Sequence, residues 1–264
     1  MHLIDLRRTK GGKGFNQAVA LAKAGVEVYF AGAIGEDGLF LTKYLEDVGV
    51  NTEFLKVLNI PTGHAIIQVN SEGQNSIILY GGANRAVTFE MIDEVMSHFK
   101  EGDYVLLQNE ISNVPYIIEQ AKRRKMKVIL NPSPVSKEML SWPLNLVDMF
   151  LINEIEGEDI TGQKDPQLII DTLLDNYSES EFVLTLGENG VVYADQQHRI
   201  FQSAYTVKAI DTTAAGDTFT GYFIAALIKG KTISESLAYA SKASAITVTR
   251  KGAGHSIPYM YELE

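Results

Sequence analysis

The segment DTTAAGDTF, residues 211–219, places two carboxylates around a run of small residues, just before the apolar stretch TGYFIAALI. Small residues at a helix start leave backbone N–H groups free, and the helix dipole adds about half a positive charge there. Such a turn can hold a phosphate, with Asp217 beside it in the first helical turn. Ordinary capping, which contributes roughly 1 kcal/mol, requires only one polar side chain. The run of small residues therefore favours a binding site.

A glycine-rich turn, GGKGFNQ at residues 11–17, runs into the helical pattern AVALAKAG. Glycines let the backbone approach a ligand closely, and Lys13 and Asn16 would add donors suited to hydroxyl groups. The dinucleotide-binding fingerprint is not met, because Gln17 stands where glycine or alanine belongs. A plain tight turn before a helix is the alternative interpretation.

Two further polar segments follow apolar strands. NEIE, residues 153–156, lies at a strand end, where open α/β sheets bind their ligands, although acidic residues also serve as ordinary helix-dipole partners. TLGENG, residues 185–190, contains the strong hairpin signal Asn-Gly. The functional alternative gives Thr185 and Gly187 contacts with nucleotide phosphates.

Other chemistries are excluded. The tripeptide GKT at residues 230–232 follows a helix and lacks the first glycine of a P-loop, so it is interpreted as a helix C-terminus. The five histidines have no zinc-site spacing, and no Ser-His-Asp arrangement is evident.

These segments must be positioned by alternating strands and helices. Short apolar runs predict strands at residues 26–31, 104–108, 127–131, 149–153, 182–186 and 191–194. Apolar spacing of three and four predicts helices at residues 14–24, 37–48, 114–125, 166–177, 216–229 and 233–249. This alternation predicts an α/β fold with a mostly parallel central sheet.

Residues 52–80 interrupt the alternation with strand-like pieces and no helix. Turn signals there predict an antiparallel hairpin that pairs residues 65–69 with 76–80. Such an excursion can serve as a lid or a dimer surface, or be a decorative hairpin. No linker or repeat divides the chain, so we expect one domain over residues 1–264.

Composition limits the partners and the compartment. A chain of 264 residues with 45% hydrophobic residues has enough apolar side chains for a core. The net charge of -10 argues against a general electrostatic grip on nucleic acid or anionic lipid. No apolar run reaches membrane-spanning length, and the opening residues carry no apolar stretch of signal-peptide length. Because no Cys is present either, we expect a cytoplasmic protein without a membrane partner.

The order of the motifs, together with LQNE at residues 107–110 and VTRKGA at 248–253, resembles the ribokinase-like (phosphofructokinase-B) family of sugar kinases. The resemblance covers essentially the whole chain. It implies a three-layer sandwich with a β lid at about residues 52–80, which often forms the dimer contact. It also implies phosphorylation of a sugar's primary hydroxyl by ATP, with D-ribose as the favoured sugar.

The resemblance assigns a role to each motif. Asp217 would be the general base, and the amides of Ala214, Ala215 and Gly216 would form an anion hole. The implied sugar ligands are Gly12, Lys13, Gly14, Asn16, Glu110 and Asp217. The implied nucleotide-site residues are Asn153, Thr185, Leu186, Gly187, Glu188, Asn189, Gly190 and Gly216.

Two cations are implied as well. Asn153 and Glu156 resemble the family's element for Mg²⁺ and phosphate, acting through water. Potassium, which activates ribokinase-like members, would lie between the Asp211 side chain and nearby carbonyls, although Asp211 is equally well explained as an ordinary turn carboxylate. The remaining residues of this implied potassium site are Thr213, Thr247, Arg250, Gly252 and Ser256.

The beginning of the sequence departs from the family pattern. Only ten residues precede Gly11, so the family's opening strand and its Asn-x-Asp carboxylate are expected to be missing, and Asp5 lies too close to the glycine-rich turn to replace it. A start codon assigned too late, a truncated chain and a diverged protein that binds without turnover are three explanations. The functional alternatives are a different acceptor, such as a nucleoside, a fructose phosphate or a vitamin precursor, and a catalytically silent binding protein.

Overall fold

The structure, a computed structural model, describes residues 9–69 and 75–263. Within these residues the strands are Gly32–Gly35 (β1), Leu55–Leu58 (β2), His64–Val69 (β3), Asn75–Tyr80 (β4), Tyr104–Gln108 (β5), Lys127–Asn131 (β6), Met149–Asn153 (β7), Glu181–Thr185 (β8), Val191–Ala194 (β9) and Arg199–Gln202 (β10). The α-helices are Lys13–Lys23 (α1), Leu39–Asp47 (α2), Phe89–Met96 (α3), Val114–Arg123 (α4), Glu154–Thr161 (α5), Pro166–Asn176 (α6), Ala215–Ile228 (α7) and Ile233–Val248 (α8).

The central sheet has the strand order β10-β9-β8-β7-β6-β5. Strands β5 to β8 are parallel, and β9 and β10 are antiparallel additions. One core cluster packs the sheet against α1, α7 and α8, and the other packs its opposite face against α3, α4 and α6. Burial on both faces explains why the parallel strands are almost entirely apolar. The predicted three-layer α/β fold is confirmed.

The strand predicted at residues 26–31 is wrong. Tyr29 makes only an isolated parallel bridge with Asn51, and the strand begins later, where β1 pairs in parallel with β2. Within the described residues this pair does not join β5, and a cavity of about 680 Å³ is lined by residues 29–34 and by β5. The prediction rested on apolar side chains alone, and it failed because a strand also depends on the neighbouring strand that pairs with it.

The predicted helices are all present to within a few residues, although segment 37–48 divides into a 3₁₀ turn at Glu36–Gly38 and α2. The sequence analysis gave no bounds for β2, β10, α3 or α5, although β2 lies among the strand-like pieces of residues 52–80 and α5 begins in the NEIE segment. These elements are four to eight residues long, which is too short for a strong periodic signal. Gly230 has a positive φ of 75° directly after α7, which confirms that GKT lies at a helix C-terminus.

The predicted hairpin is confirmed, because β3 and β4 pair antiparallel with Ala65 opposite Leu79. The turn signal at residues 71–73 and the candidate carboxylate Asp5 lie outside the described residues. In the part of the chain that the structure describes, no helix has the length and apolar character needed to cross a membrane.

Candidate active site

The start of α7 presents free backbone donors. Ala214 precedes the helix in the left-handed conformation, with φ 61°, and supplies no side-chain cap. The N–H groups of Gly216 and Asp217 donate to no acceptor within residues 9–69 and 75–263. The N–H of Ala215 donates to the Thr212 carbonyl at 3.2 Å, so the prediction of a free amide is wrong at Ala215. The left-handed conformation of Ala214 turns the backbone so that the Ala215 N–H faces the Thr212 carbonyl.

The Asp217 carboxylate is held by two amide side chains from α1. Asn16 Nδ2 donates to Asp217 Oδ2 at 2.9 Å, and Gln17 Nε2 donates to Asp217 Oδ1 at 3.0 Å. Because α7 is apolar around its whole circumference, its burial anchors the helix end that carries Asp217. The first turns of α1 and α7 therefore meet at this carboxylate.

The environment makes Asp217 a weaker acid than an ordinary aspartate. Burial raises the pKa of Asp217 to about 6, although the hydrogen bonds from Asn16 and Gln17 and the charge of Lys13 lower it in part. The negative charge of Glu110 is a smaller contribution to the rise. A carboxylate with a pKa near neutrality is well matched to accept a proton at physiological pH.

The predicted sugar ligands surround the same helix start. Gly12, with φ 110°, is the N-terminal cap of α1, and Lys13 Nζ lies 3.5 Å from Glu110 Oε1. Gly12, Gly14 and Glu110 line one end of the 680 Å³ cavity. Gly14 also packs against the Gln108 amide, because a Cβ at this position would lie 2.9 Å from Gln108 Oε1. The structure thus brings these residues together.

Asn16 has one unused hydrogen-bonding atom. Its side chain is 5% exposed, and its Oδ1 has no hydrogen-bond partner among the described residues. A buried acceptor without a partner is unfavourable, so Oδ1 is suited to accept from a ligand hydroxyl.

The NEIE segment forms a capping box at the start of α5. Glu156 N donates to Asn153 Oδ1 at 2.9 Å, and Asn153 N donates to Glu156 Oε2 at 3.1 Å. Burial raises the pKa of Glu156, whereas hydrogen bonds from the Asn153 backbone and Ser133 and the charge of Lys13 act in the opposite direction. The alternative interpretation, in which these residues stabilise the start of a helix, therefore applies. The capping box uses one carboxylate oxygen of Glu156.

A single carboxylate is compatible with Mg²⁺, which usually binds through one or two carboxylates, substrate phosphates and water. Within residues 9–69 and 75–263, no group of three or more His, Asp or Glu side chains could hold a metal ion by itself. Glu156 would therefore act on a cation that is carried largely by phosphate and water.

The Asp211 carboxylate joins the loop before α7 to the loop after α8. Its Oδ1 accepts from Thr213 N at 2.9 Å, and its Oδ2 accepts from Gly252 N at 2.8 Å. Hydrogen bonds from Thr213 and Gly252 lower the pKa of Asp211. This is the geometry of the ordinary turn carboxylate, and it joins Asp211 to Thr213 and Gly252, two other residues of the implied potassium site.

The backbone carbonyls of the implied potassium site differ in their hydrogen bonding. Ser256 Oγ donates to Gly252 O at 2.8 Å, and Arg250 N donates to Thr247 O at 3.0 Å. The carbonyls of Thr213 and Arg250 accept no hydrogen bond from the described part of the chain. An all-oxygen set of carbonyls and one carboxylate suits a hard cation.

The TLGENG segment is the turn between β8 and β9, as its hairpin signal indicated. A 3₁₀ turn spans Gly187–Asn189, and Leu186 N donates to Gly190 O at 2.8 Å. Thr185 lies opposite Asn153 in the register of β7 and β8, so both predicted nucleotide segments lie at the carboxyl edge of the sheet. No hydrogen bond of the described residues joins either segment to Asp217.

Gln17, Gln108 and Asn131 complete the surroundings of Asp217, and the sequence reasoning did not single them out as site residues. Gln108 Nε2 donates to Gln17 Oε1 at 2.6 Å, and Gln17 Nε2 donates to Asn131 Oδ1 at 3.2 Å. The available signal was that Gln108 and Asn131 are each the polar last residue of an apolar strand, as Asn153 is.

Comparisons with known proteins identify the family. The chain matches the description "pfkB family carbohydrate kinase" over residues 2–260. It is 37% identical to a ribokinase of Staphylococcus aureus, with 96% of this chain and 86% of the relative covered.

Solved structures are similar over the same length. A ribokinase of Thermotoga maritima has a TM-score of 0.85 and 33% identity, covering 99% of this chain and 89% of the other. An Arabidopsis thaliana ribokinase complexed with ribose and ATP has a TM-score of 0.84 and 32% identity, covering 96% and 86%. The chain therefore belongs to the pfkB family of carbohydrate kinases.

Proposed function

We propose that this protein transfers the γ-phosphoryl group of ATP to the primary hydroxyl of D-ribose and forms ribose 5-phosphate. The observation that carries the proposal is the Asp217 carboxylate, which lies beside unpaired amides at the start of α7 and has a pKa of about 6. The relatives named ribokinase and the Arabidopsis thaliana ribokinase complexed with ribose and ATP support the choice of sugar and donor.

Asp217 takes the proton of the hydroxyl as the hydroxyl oxygen attacks the γ-phosphorus. A bond forms between the sugar oxygen and this phosphorus, and the bond from the phosphorus to the β,γ-bridging oxygen breaks, which leaves ADP. The free N–H groups of Gly216 and Asp217 stabilise the negative charge of the transferring phosphoryl group. Ala214 shapes the turn, and its N–H donates to no acceptor among the described residues. Ala215 contributes its position in the turn rather than a free donor.

The sugar is bound between the two helix starts. Lys13 and Glu110 provide a donor and an acceptor for hydroxyl groups, and the unpaired Asn16 Oδ1 accepts from another. Gly12 leaves space for close approach of the sugar, and Gly14 lets α1 pack against the Gln108 amide.

The nucleotide lies along the carboxyl edge of the sheet, beside residues 185–190 and Asn153. Glu156, with Asn153, would hold Mg²⁺ through water, and this ion would neutralise phosphate charge. Asp211 and the carbonyls of the two loops that it joins would hold potassium next to the α7 turn. The cation would keep that turn in its binding conformation.

The β3–β4 hairpin acts as a lid and forms the contact of a homodimer. Its side chains Ile66, Ile78, Leu79 and Tyr80 are exposed apolar groups on one short hairpin. Ile66, Ile78 and Tyr80 share one face of the hairpin, and Leu79 lies on the other face. Exposed apolar surface that is shared by several side chains marks interaction sites. The single domain and the cytoplasmic location remain part of this proposal.

The test is ADP release in the presence of Mg²⁺ and potassium with ribose, 2-deoxyribose, fructose and nucleosides as acceptors. We expect the highest kcat/KM with ribose and a loss of roughly 10²–10⁴-fold in the Asp217→Asn variant. An absence of sugar-dependent ADP release would refute the proposal. Ligand binding by calorimetry without turnover would instead indicate the silent binding protein, and preference for another acceptor would revise the substrate.

A further inference from the structure

Gln17 connects the catalytic carboxylate to the central sheet. Its side chain is only 1% exposed, so no substrate reaches it. Its Nε2 donates to Asp217 Oδ1 at 3.0 Å and to Asn131 Oδ1 at 3.2 Å, and its Oε1 accepts from Gln108 Nε2 at 2.6 Å. Both amide hydrogens and the amide oxygen of Gln17 are therefore in use.

The direction of these hydrogen bonds is set by groups that can only accept. Asn131 Nδ2 donates to the Leu151 carbonyl at 2.8 Å, and a carbonyl has no hydrogen to return. Asn131 must therefore turn its Oδ1 toward Gln17, which presents its NH₂ group to Asn131 and to the Asp217 carboxylate. The Gln17 amide cannot flip without breaking three hydrogen bonds.

The supporting groups lie on rigid elements. Gln108 and Asn131 are opposite each other in the register of β5 and β6, and Leu151 belongs to β7. Asn16, the other donor to Asp217, has no comparable support, because its Oδ1 has no partner among the described residues. The two carboxylate oxygens of Asp217 are thus held differently, one by a fixed donor and one by an amide that is free to exchange partners.

We propose that Gln17 is a positioning residue that fixes the Asp217 carboxylate, with Gln108 and Asn131 acting through it. The inference rests on the proposed function, in which Asp217 is the base. A fixed Oδ1 orients the carboxylate toward the sugar hydroxyl, and small errors of orientation at a catalytic group are costly. Gln17 therefore affects kcat and leaves the binding of ATP and sugar nearly unchanged.

The first experiment measures kcat and KM in the Gln17→Met variant, which keeps the length of the side chain and removes its hydrogen bonds. We expect kcat to fall roughly ten- to a hundredfold, because a hydrogen bond to a charged group is lost. Both KM values should stay within about threefold of the parent. The matched control is Gln120→Met on α4, which removes another buried glutamine that accepts from Arg124 and should leave kcat unchanged.

The second experiment separates positioning from folding. Gln108→Met leaves Gln17 and Asp217 intact and removes the donor that fixes the Gln17 amide. We expect a smaller loss of kcat, and the double variant should be no worse than Gln17→Met alone, because both substitutions break one network. If Gln17→Met does not fold, Gln108→Met tests the same network by the same measurements.

A third measurement does not depend on turnover. Carbon-13 NMR titration of the Asp217 carboxyl group should give a higher pKa in Gln17→Met, because Gln17 donates to the charged form. Lys13 and Glu110, the other charged groups that act on Asp217, are unchanged in this variant.

A Gln17→Met variant with unchanged kcat and an unchanged Asp217 titration would overturn the inference, and so would a raised KM with unchanged kcat. Retained turnover in Asp217→Asn would contradict the proposed function instead. The NMR titration would then still show whether Gln17 controls the carboxylate.

Discussion

Gly221 of α7 packs directly against Ala20 of α1, and a Cβ at position 221 would overlap the Ala20 Cβ and lie 2.9 Å from the Leu21 amide nitrogen. Asp217 is one helical turn before Gly221, and Asn16 is one turn before Ala20, so each pair shares a helix face. The close approach at Gly221 therefore sets the distance at which Asn16 reaches the carboxylate.

Replacing Gly221 should separate the two helices. We expect Gly221→Ala to lower the free energy of unfolding by about 1–3 kcal/mol through overpacking, and to lower kcat by moving Asp217 away from its amide donors. Urea denaturation and steady-state kinetics measure the two effects. Unchanged stability and unchanged kcat would show that the helix contact does not control the site.

Replacing Gly216 should raise stability while it lowers activity. A Cβ at this position would meet nothing within 4 Å, and the residue has no positive φ. Gly216→Ala should therefore raise the free energy of unfolding by about 0.5–1 kcal/mol, because alanine is the better helix former. Turnover should fall at least tenfold, since the methyl group would occupy space near the proposed phosphate. Equal turnover by the variant and the parent in the ADP-release assay would contradict this position for the phosphate.

The pKa of Asp217 predicts how activity depends on pH. The proposed base accepts a proton only when its carboxylate is charged, so kcat/KM should fall about tenfold per unit as the pH drops below about 6. The pH profile of ADP release measures this limb, and a limb near pH 4 would contradict the assigned base.

Stability should change with pH in the opposite sense. The folded protein retains the proton of Asp217 up to about pH 6, whereas the unfolded chain releases it near 3.8, so the free energy of unfolding falls as pH rises through this window. Asp217→Asn should remove that slope and be more stable at pH 8 by up to about 3 kcal/mol. Asn16 can flip its amide to accept from the new side chain, because its Oδ1 is unpaired.

The exposed hairpin predicts the effect of a surface charge on assembly. Ile78 on β4 is 54% exposed and shares a face of the hairpin with Ile66 and Tyr80. Ile78→Glu should convert a dimer to a monomer in light scattering, because a charge is costly in an apolar contact. Leu168→Glu on α6, where the leucine is 50% exposed, is the matched control and should not change the mass. A monomeric parent protein, or a dimeric Ile78→Glu variant, would contradict the proposed dimer surface.

Local patterns in the sequence were enough to predict much of the framework. Apolar runs predicted β5 to β8, because buried parallel strands carry apolar side chains on both faces. The small residues before α7 and the glycines before α1 indicated the two helix starts. This signal is also local, because such residues allow the turn before a helix and leave its first amides free. The hairpin at β3 and β4 followed from its turn residues.

The tertiary structure alone decided which residues meet. Residues 26–31 carry strand-like side chains, yet Tyr29 makes only one bridge, because pairing depends on a neighbour that the local pattern does not specify. Gln17 meets Asn131 and Asp217 across separations of 114 and 200 residues, and no local periodicity encodes such contacts. The sequence by itself determined which segments could bind and which helix start could hold an anion. Packing of α1 on α7 and the strand register decided that one aspartate is buried, hydrogen-bonded and raised in pKa, because burial and orientation arise only when distant segments share one interior.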